Sequence, residues 1–218
     1  MKYKFKTKPY EHQLLALSKS WNKREYAYFM EMGTGKSKVL IDNIAILYDK
    51  GGINGAIIVA PKGVYRNWSE KEIPAHMPEH VLKHVAVWNP SPTKAQKKEL
   101  VKLFESSQDL KFILAHNALI DVDESTTIKN PKAQRTKSLL KLAINTKYRR
   151  ILTGFPVTQS PLDLYSQCSF LSKQLLGFDS YYSFQNRYAK LLNRKMGARS
   201  FRQVVGYQNL EELPVKYL

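Results

Sequence analysis

Cysteine is almost absent: Cys168 is the sole one in 218 residues, which excludes an internal disulfide and fits a reducing compartment. A small, buried, apolar role is expected for it. No apolar run approaches the roughly 20 residues of a membrane span, so no membrane partner is expected. The N-terminus, Met1-Lys2-Tyr3-Lys4-Phe5-Lys6-Thr7-Lys8, carries no apolar signal core, and export is not expected either. Acidic residues are scarce as well: 18 Asp+Glu face 35 Lys+Arg, a net charge of +17. A field of that size attracts polyanions, and counterion release makes nucleic acid the natural partner. A solvated, lysine-rich surface is the plainer alternative. Internal repeats and low-complexity tracts are missing too. With 43% hydrophobic residues the chain can bury a sizeable core, so one α/β domain is expected.

What is present is organised around Gly33-Thr34-Gly35-Lys36-Ser37, which follows Met30-Glu31-Met32 and the aromatic run Tyr26-Ala27-Tyr28-Phe29. Gly33 and Gly35 permit a tight turn whose N–H groups point at phosphate oxygens. Helical spacing from Lys38 to about Tyr48 adds a positive helix N-terminus. Lys36 suits the β- and γ-phosphates and the Ser37 hydroxyl suits Mg²⁺. The full phosphate-loop pattern wants a glycine where Met30 stands, and an ordinary turn before a helix is the alternative. A second element, Asp123-Glu124-Ser125-Thr126, follows the apolar run Ala118-Leu119-Ile120. At a strand end, Asp123 can face Mg²⁺ while Glu124 faces the attacking water.

Along the chain, residues 1–8 alternate with a period of two, as in a half-solvated strand. Pro9 starts a helix carrying Gln13, Leu14, Leu15 and Leu17. Leu40, Ile44 and Leu47 mark a buried helix face that stops at Gly51-Gly52. Further strands are expected at Ala56–Ala60, His84–Trp88, Lys111–Ala115, Ala118–Val122 and Arg150–Thr153. Helices are expected from Thr93, capped with Gln96, to about Ser106, over Ala133–Ile144, and from Ser160-Pro161. The alternation implies a mostly parallel sheet flanked by helices, over 1–177. Residues 178–218 read as a basic, aromatic-rich helical extension. Only His116 and Asn117 separate two of the expected strands, too few for a parallel crossover. Either one run is not a strand, or the two pair differently, or a connecting segment is missing. His76, His80 and His84 are four apart, but Pro78 interrupts that helix and surface histidines are expected.

Together these motifs resemble the first RecA-like lobe of superfamily-two helicase-fold ATPases, in the SWI/SNF-like branch. Lys8-Pro9-Tyr10-Glu11-His12-Gln13 resembles the Q motif, and Glu31 to Ser37 resembles that branch's motif I, which also lacks the first glycine. Val59-Ala60-Pro61-Lys62 with Asn67-Trp68 resembles motif Ia, and Leu114-Ala115-His116-Asn117 sits like motif Ib. Asp123 to Thr126 with Ile128-Lys129-Asn130 resembles motif II, and Leu152-Thr153-Gly154-Phe155-Pro156-Val157 resembles motif III. The resemblance implies ATP and Mg²⁺ as cofactors and DNA as partner, duplex or branched, with RNA left open. Gln13 would read adenine; Gly33, Thr34, Gly35 and Lys36 would hold the phosphates; Ser37 and Asp123 would hold Mg²⁺. Lys36, Asp123 and Glu124 would be catalytic, with Glu124 acting on water, and Thr153 and Gly154 would couple ATP to nucleic acid. Lys62, Asn67, His116, Asn117 and Lys129 would contact the phosphate backbone. Thr126 stands where most relatives have histidine, as in viral members with a DEST box, which weakens the usual link from motif II to motif III. That resemblance places the chain in bacterial or virus-infected host cytoplasm. A second RecA-like lobe, in cis or trans, would complete the site; 218 residues do not hold both. A basic nucleic-acid-binding module with a vestigial nucleotide pocket is the alternative.

Overall fold

The computed structural model describes residues 3–81, 85, 87, 93–95, 117–197 and 199–213. The expected strands at 84–88 and 111–115 and the helix up to 106 lie wholly or mostly outside them. In the described residues the chain runs α1 (Glu11–Ser20), β1 (Glu25–Phe29), α2 (Lys36–Asp49) and β2 (Gly55–Val59). A helical run over 65–76 follows, α3, which widens to a π-helical turn at Trp68–Glu72. Then come β3 (Ala118–Asp123), α4 (Gln134–Ile144), β4 (Tyr148–Thr153), α5 (Leu164–Leu171), α6 (Tyr181–Tyr188), β5 (Ala189–Met196) and β6 (Arg199–Tyr207).

Four strands form a parallel sheet in the order β1-β4-β3-β2. Both faces are covered, which is why the strands read as continuous apolar runs. On one face Leu119, Leu152 and Tyr28 pack against Leu17 of α1, against Val39, Leu40, Ile41 and Ile44 of α2, and against Trp68. On the other, Ile120, Val122 and Ile151 pack against Ala143 of α4 and Phe170 and Leu171 of α5. Helix α2 ends in a left-handed Gly51 (φ 65°), and the Gly52 N–H returns to the Leu47 carbonyl at 2.7 Å. This 6→1 closure is the Schellman stop expected of Gly-Gly at that point.

Two expectations need correction. The first residues form no ladder: Tyr3, Phe5 and Thr7 turn inward while the lysines between them point out. Tyr3 packs edge-on against Phe5, and Thr7 Oγ1 lies 2.7 Å from His76 Nδ1. The period of two was real, but side-chain anchoring to α2 and α3 produces it without strand pairing. Among the described residues, the C-terminal extension is α-helical over α6 alone, with one 3-10 turn at Leu210–Glu212. After α6, β5 and β6 form an antiparallel hairpin around a left-handed Gly197 (φ 59°). Leu191 and Val204 pack onto Phe184 and Tyr188, and that cluster reaches Leu162 and Tyr165, tying the hairpin to the sheet domain.

Candidate nucleotide site

Strand order decides where the motifs meet. Phe29 pairs with Thr153, Leu152 with Asp123, and Val122 with Val59, so all four strands finish level at one edge. The loop after β1, Thr153-Gly154 after β4, Asp123-Glu124 after β3 and Pro61-Lys62 after β2 therefore share that edge. With strands about 4.8 Å apart, β1 and β3 are separated laterally by only about 10 Å.

Gly33 and Gly35 both adopt the left-handed conformation (φ 78° and 79°), and Gly35 is the N-cap of α2. No side chain caps that helix, and its first turn carries no acidic residue, so its leading N–H groups and dipole favour an anion. Lys36 Nζ donates to the Met30 and Glu31 carbonyls at 3.0 and 3.1 Å, which holds the ammonium across the mouth of the loop. Ser37 sits half-buried in the first turn of α2. The Thr34 carbonyl accepts from Gln13 Nε2 at 3.0 Å and lies 2.9 Å from His12 Nε2. The other end of the Gln13 amide accepts from the Tyr10 N–H at 3.0 Å. Gln13 is thus a brace under the phosphate loop, leaving one N–H and one lone pair for a ligand. A Cβ on Gly35 would lie 2.3 Å from Gln13 Nε2, so loop and brace are fitted to a glycine.

Asp123 is half-buried at the end of β3. Its Oδ2 accepts from the Trp68 indole N–H at 2.8 Å and its Oδ1 from the Glu124 N–H at 3.0 Å. Burial raises its pKa above the ordinary carboxylate range, against the pull of the Trp68 and Glu124 donors and of the Lys36 charge. That Lys36 acts on Asp123 places the two motifs in one electrostatic neighbourhood. Glu124 follows in a left-handed conformation (φ 51°, ψ 63°), strained for a residue with a Cβ. A further carboxyl, Asp121, lies on the same sheet face, fully buried, with neither oxygen hydrogen-bonded. Burial and the neighbouring Asp123 push its pKa well up.

Motif II and motif III are wired together, though not through Thr126. Ser125 Oγ donates to Gln167 Oε1 at 2.6 Å, and Gln167 Nε2 donates to the Pro156 and Asp163 carbonyls at 2.7 and 2.9 Å. Lys129 Nζ adds a strut, donating to Thr158 Oγ1 at 2.8 Å and Gln159 Oε1 at 3.0 Å. Thr153 is buried, and its Oγ1 accepts from the Phe155 N–H at 3.2 Å. Gly154 faces the phosphate loop: a Cβ there would meet Met32 at 3.4 Å. Trp68, Ser125 and Gln167 carry this wiring and were not picked out for it in the sequence. The one available signal was Gln167, an amide in the helical segment Leu164-Tyr165-Ser166-Gln167-Cys168-Ser169-Phe170-Leu171, whose only other polar side chains besides the Tyr165 hydroxyl are two serines.

Of the expected nucleic-acid contacts, Lys62 and Asn67 are exposed beside the end of β2, with Asn67 Nδ2 donating to Glu72 at 3.2 Å. Lys129 is largely engaged in its strut. Asn117 stands apart from these. It precedes β3, at the sheet edge opposite Asp123 and about 20 Å away by strand rise. There its carbonyl accepts from the Asn54 N–H at 2.9 Å. Because it passes directly into β3, it cannot reach the edge where the other motifs gather. His116 lies outside the described residues.

The sequence pattern of the SNF2-related domain matches residues 21–206. The chromatin-remodeling ATPase INO80 of Sclerotinia sclerotiorum is 28% identical over 183 residues, covering 73% of this chain and 10% of that protein. The ISWI chromatin-remodeling complex ATPase CHR17 of Arabidopsis thaliana is 32% identical over 154 residues, covering 65% of this chain and 14% of that protein. Among solved structures, the Sulfolobus solfataricus SWI2/SNF2 ATPase core in complex with dsDNA superposes with a TM-score of 0.66 at 25% identity, over 85% of this chain and 40% of that one. The chain thus spans a small part of the relatives it matches. Neither curated relative is bacterial or viral, so the cytoplasmic setting expected above draws no support from them. Among the described residues, no helix is long and apolar enough to cross a membrane.

Proposed function

The chain belongs to the SNF2-related domain family, and from that premise we propose that it is the ATP-binding first motor lobe of a DNA-dependent ATPase. The observation that carries this reading is the shared sheet edge, on which the Lys36 charge acts on Asp123 two strands away. An uncapped helix N-terminus, a lysine held at the loop mouth, and a hydroxyl and a carboxylate nearby form a donor set that fits a Mg²⁺-triphosphate. Gly33, Thr34, Gly35 and Lys36 hold the phosphates, Ser37 and Asp123 hold the metal, and the remaining amide capacity of Gln13 meets adenine. Bound Mg²⁺ supplies charge neutralisation at the β- and γ-oxygens. Glu124, fixed by its unusual backbone, orients the attacking water and takes its proton. Thr153 and Gly154 abut the phosphate loop and pass its state through Pro156 and Gln167 to the segment around Lys129. Lys62 and Asn67 meet the phosphate backbone of DNA, contacts that position a strand without reading its sequence.

Hydrolysis by this lobe alone is slow in this reading. A transition-state arginine from a second RecA-like lobe is typically worth about 10³–10⁵ in rate. The test is ATP affinity and turnover with and without duplex DNA, for the wild-type chain, Lys36→Ala and Glu124→Gln. Expected are loss of ATP binding in Lys36→Ala, retained binding without turnover in Glu124→Gln, and DNA-stimulated turnover in the wild type. DNA binding alongside ATP affinity that is absent in the wild type, or unaltered by Lys36→Ala, would instead favour a nucleic-acid module with a vestigial pocket.

A further inference from the structure

A second concave surface is lined by none of the residues assigned to the nucleotide. It is a cleft of about 380 Å³ between the segment after the Ser125–Ile128 turn, helix α6 and strand β6. Its lining combines three rings (Tyr181, Tyr182, Phe201), two cations (Lys132, Arg202) and two amides (Asn130, Gln185). Tyr182 is 52% exposed and Phe201 49%, large apolar rings left facing solvent. Lys132 Nζ sits 5.6 Å from the Tyr182 ring centroid, and Arg202 Nη1 is held by Asn186 Oδ1 at 3.1 Å. Among the described residues, no carboxylate lines the cleft. The sequence of the hairpin, 189–207, contains five Lys+Arg and no Asp or Glu.

From this we propose that the cleft binds an unpaired stretch of nucleic acid, with a base against Tyr182 and Phe201 and the flanking phosphates on Lys132 and Arg202. The chemistry selects among polyanions. A duplex keeps its base faces stacked inside, so exposed rings in a basic cleft gain nothing from it beyond charge. An unstacked base offers a free π-face, and its neighbouring phosphates meet the cations at the rim. The amides of Asn130 and Gln185 can each donate and accept, which tolerates any base edge. An acidic peptide would use the cations and leave the rings idle. The cleft shares no lining residue with the nucleotide site, and this proposal deepens the reading of the lobe as a DNA-acting one by adding single-strand contact to it.

The test is fluorescence anisotropy on the full chain with a labelled single-stranded oligothymidylate, the same oligonucleotide with abasic sites, and a duplex of equal length. Phe201→Ala is expected to weaken single-strand binding by about 5- to 100-fold, the range for loss of one base–aromatic stack. Duplex binding should change less than about twofold, the abasic strand should bind wild type as weakly as the intact strand binds Phe201→Ala, and Phe201→Tyr should restore affinity. Lys132→Ala should reduce the salt slope for the single strand by about 0.7, one phosphate's worth. Equal loss for single strand and duplex, full affinity for the abasic strand, or displacement of the strand by a poly-glutamate peptide with Phe201→Ala indifferent would each overturn the proposal. Melting temperatures establish that the variants fold. ATP affinity on the same proteins separates outcomes: single-strand binding insensitive to Phe201 with ATP binding intact sinks this proposal and leaves the ATPase reading standing.

Discussion

Replacing Asp121 by valine should make the protein more stable, although the position lies in β3 beside the proposed catalytic carboxylates. Asp121 is fully buried, neither oxygen has a hydrogen-bond partner, and its cross-strand neighbour is the equally buried Arg150. An ion pair is the obvious expectation, but Arg150 does not need one. Its Nε donates to Asn43 Oδ1, its Nη1 to the Arg24 and Arg149 carbonyls, and its Nη2 to the Ser20 and Lys23 carbonyls. All five donors of the guanidinium are occupied. Burial first, and then the nearby Asp123, push the Asp121 pKa well up, with Arg150 opposing. The folded carboxyl is therefore protonated where the unfolded one, above about pH 4, is ionised. Folding takes up a proton in that window, so its contribution to stability falls as pH rises, by about 1.4 kcal/mol per unit until the folded group titrates. Valine suits a strand buried on both faces and removes both the unsatisfied oxygens and the proton uptake. The expected gain at pH 7 is about 1–3 kcal/mol, or very roughly 3–10 °C in Tm for a chain of this size. The assay is urea unfolding of wild type and Asp121→Val between pH 4.5 and 7.5. Asp42 titrates alike in both proteins, so the difference curve reports Asp121 together with the Asp123 it is coupled to, and it should widen with pH. Were Asp121 an ionised counter-ion of Arg150, its removal would cost about 3–5 kcal/mol and the gap would narrow in acid. That outcome refutes the reasoning.

Three further perturbations have signs fixed by the geometry. Gly35→Ala forces a Cβ against the Gln13 amide and strains a left-handed backbone; Mg²⁺-ATP affinity by calorimetry should fall at least about tenfold, with stability lower by about 1–3 kcal/mol. Trp68→Phe removes a donor that holds the Asp123 pKa down, so metal affinity should weaken most at the acid end of a Mn²⁺ titration series and recover as pH rises; a pH-independent loss would mean a purely structural role for the indole. At Asp163, burial pushes the pKa up, but the Gln159 N–H, the Thr158 hydroxyl and N–H and the Lys129 charge outweigh it and leave it lowered. Its stabilisation is present above about pH 4 and is lost as pH falls through the folded value. Asp163→Asn should therefore cost about 2 kcal/mol at pH 7 and progressively less in acid, read by urea unfolding across that range.

Two of these predictions, at Asp121 and Asp163, fall on residues that the sequence did not mark, and the reason is physical. Elements whose signal is local were legible. The phosphate loop needs glycines at positive φ, α2 needs Gly51 to stop, and β3 and β4 need apolar residues on both faces, so each is written within a dozen positions. Helical propensity misled only where a distant partner decides: the stretch from Tyr181 to Met196 suits a helix locally. It leaves that conformation at Ala189 because Leu191 and Val204 can then share the aromatic cluster around Phe184. The candidate site divides along the same line. Lys36, Ser37, Asp123 and Glu124 stand next to turn signals. Trp68 meets Asp123 across 55 positions, and Ser125 meets Gln167 across 42. Pairings at such separation leave no periodicity in the sequence, only polar residues in places where burial should exclude them. Gln167, Arg150 and Asp121 are all of this kind, each 0% exposed. Two of the three are fully hydrogen-bonded into the links between motifs or strands, and the third is not bonded at all. An unsatisfied carboxyl two residues from the proposed metal ligand is a cost that folding alone gives no reason to retain. Its removal in Asp121→Val therefore tests stability and ATP turnover together: a more stable protein that hydrolyses ATP more slowly would mean that the Asp121 carboxyl serves the site through its effect on Asp123.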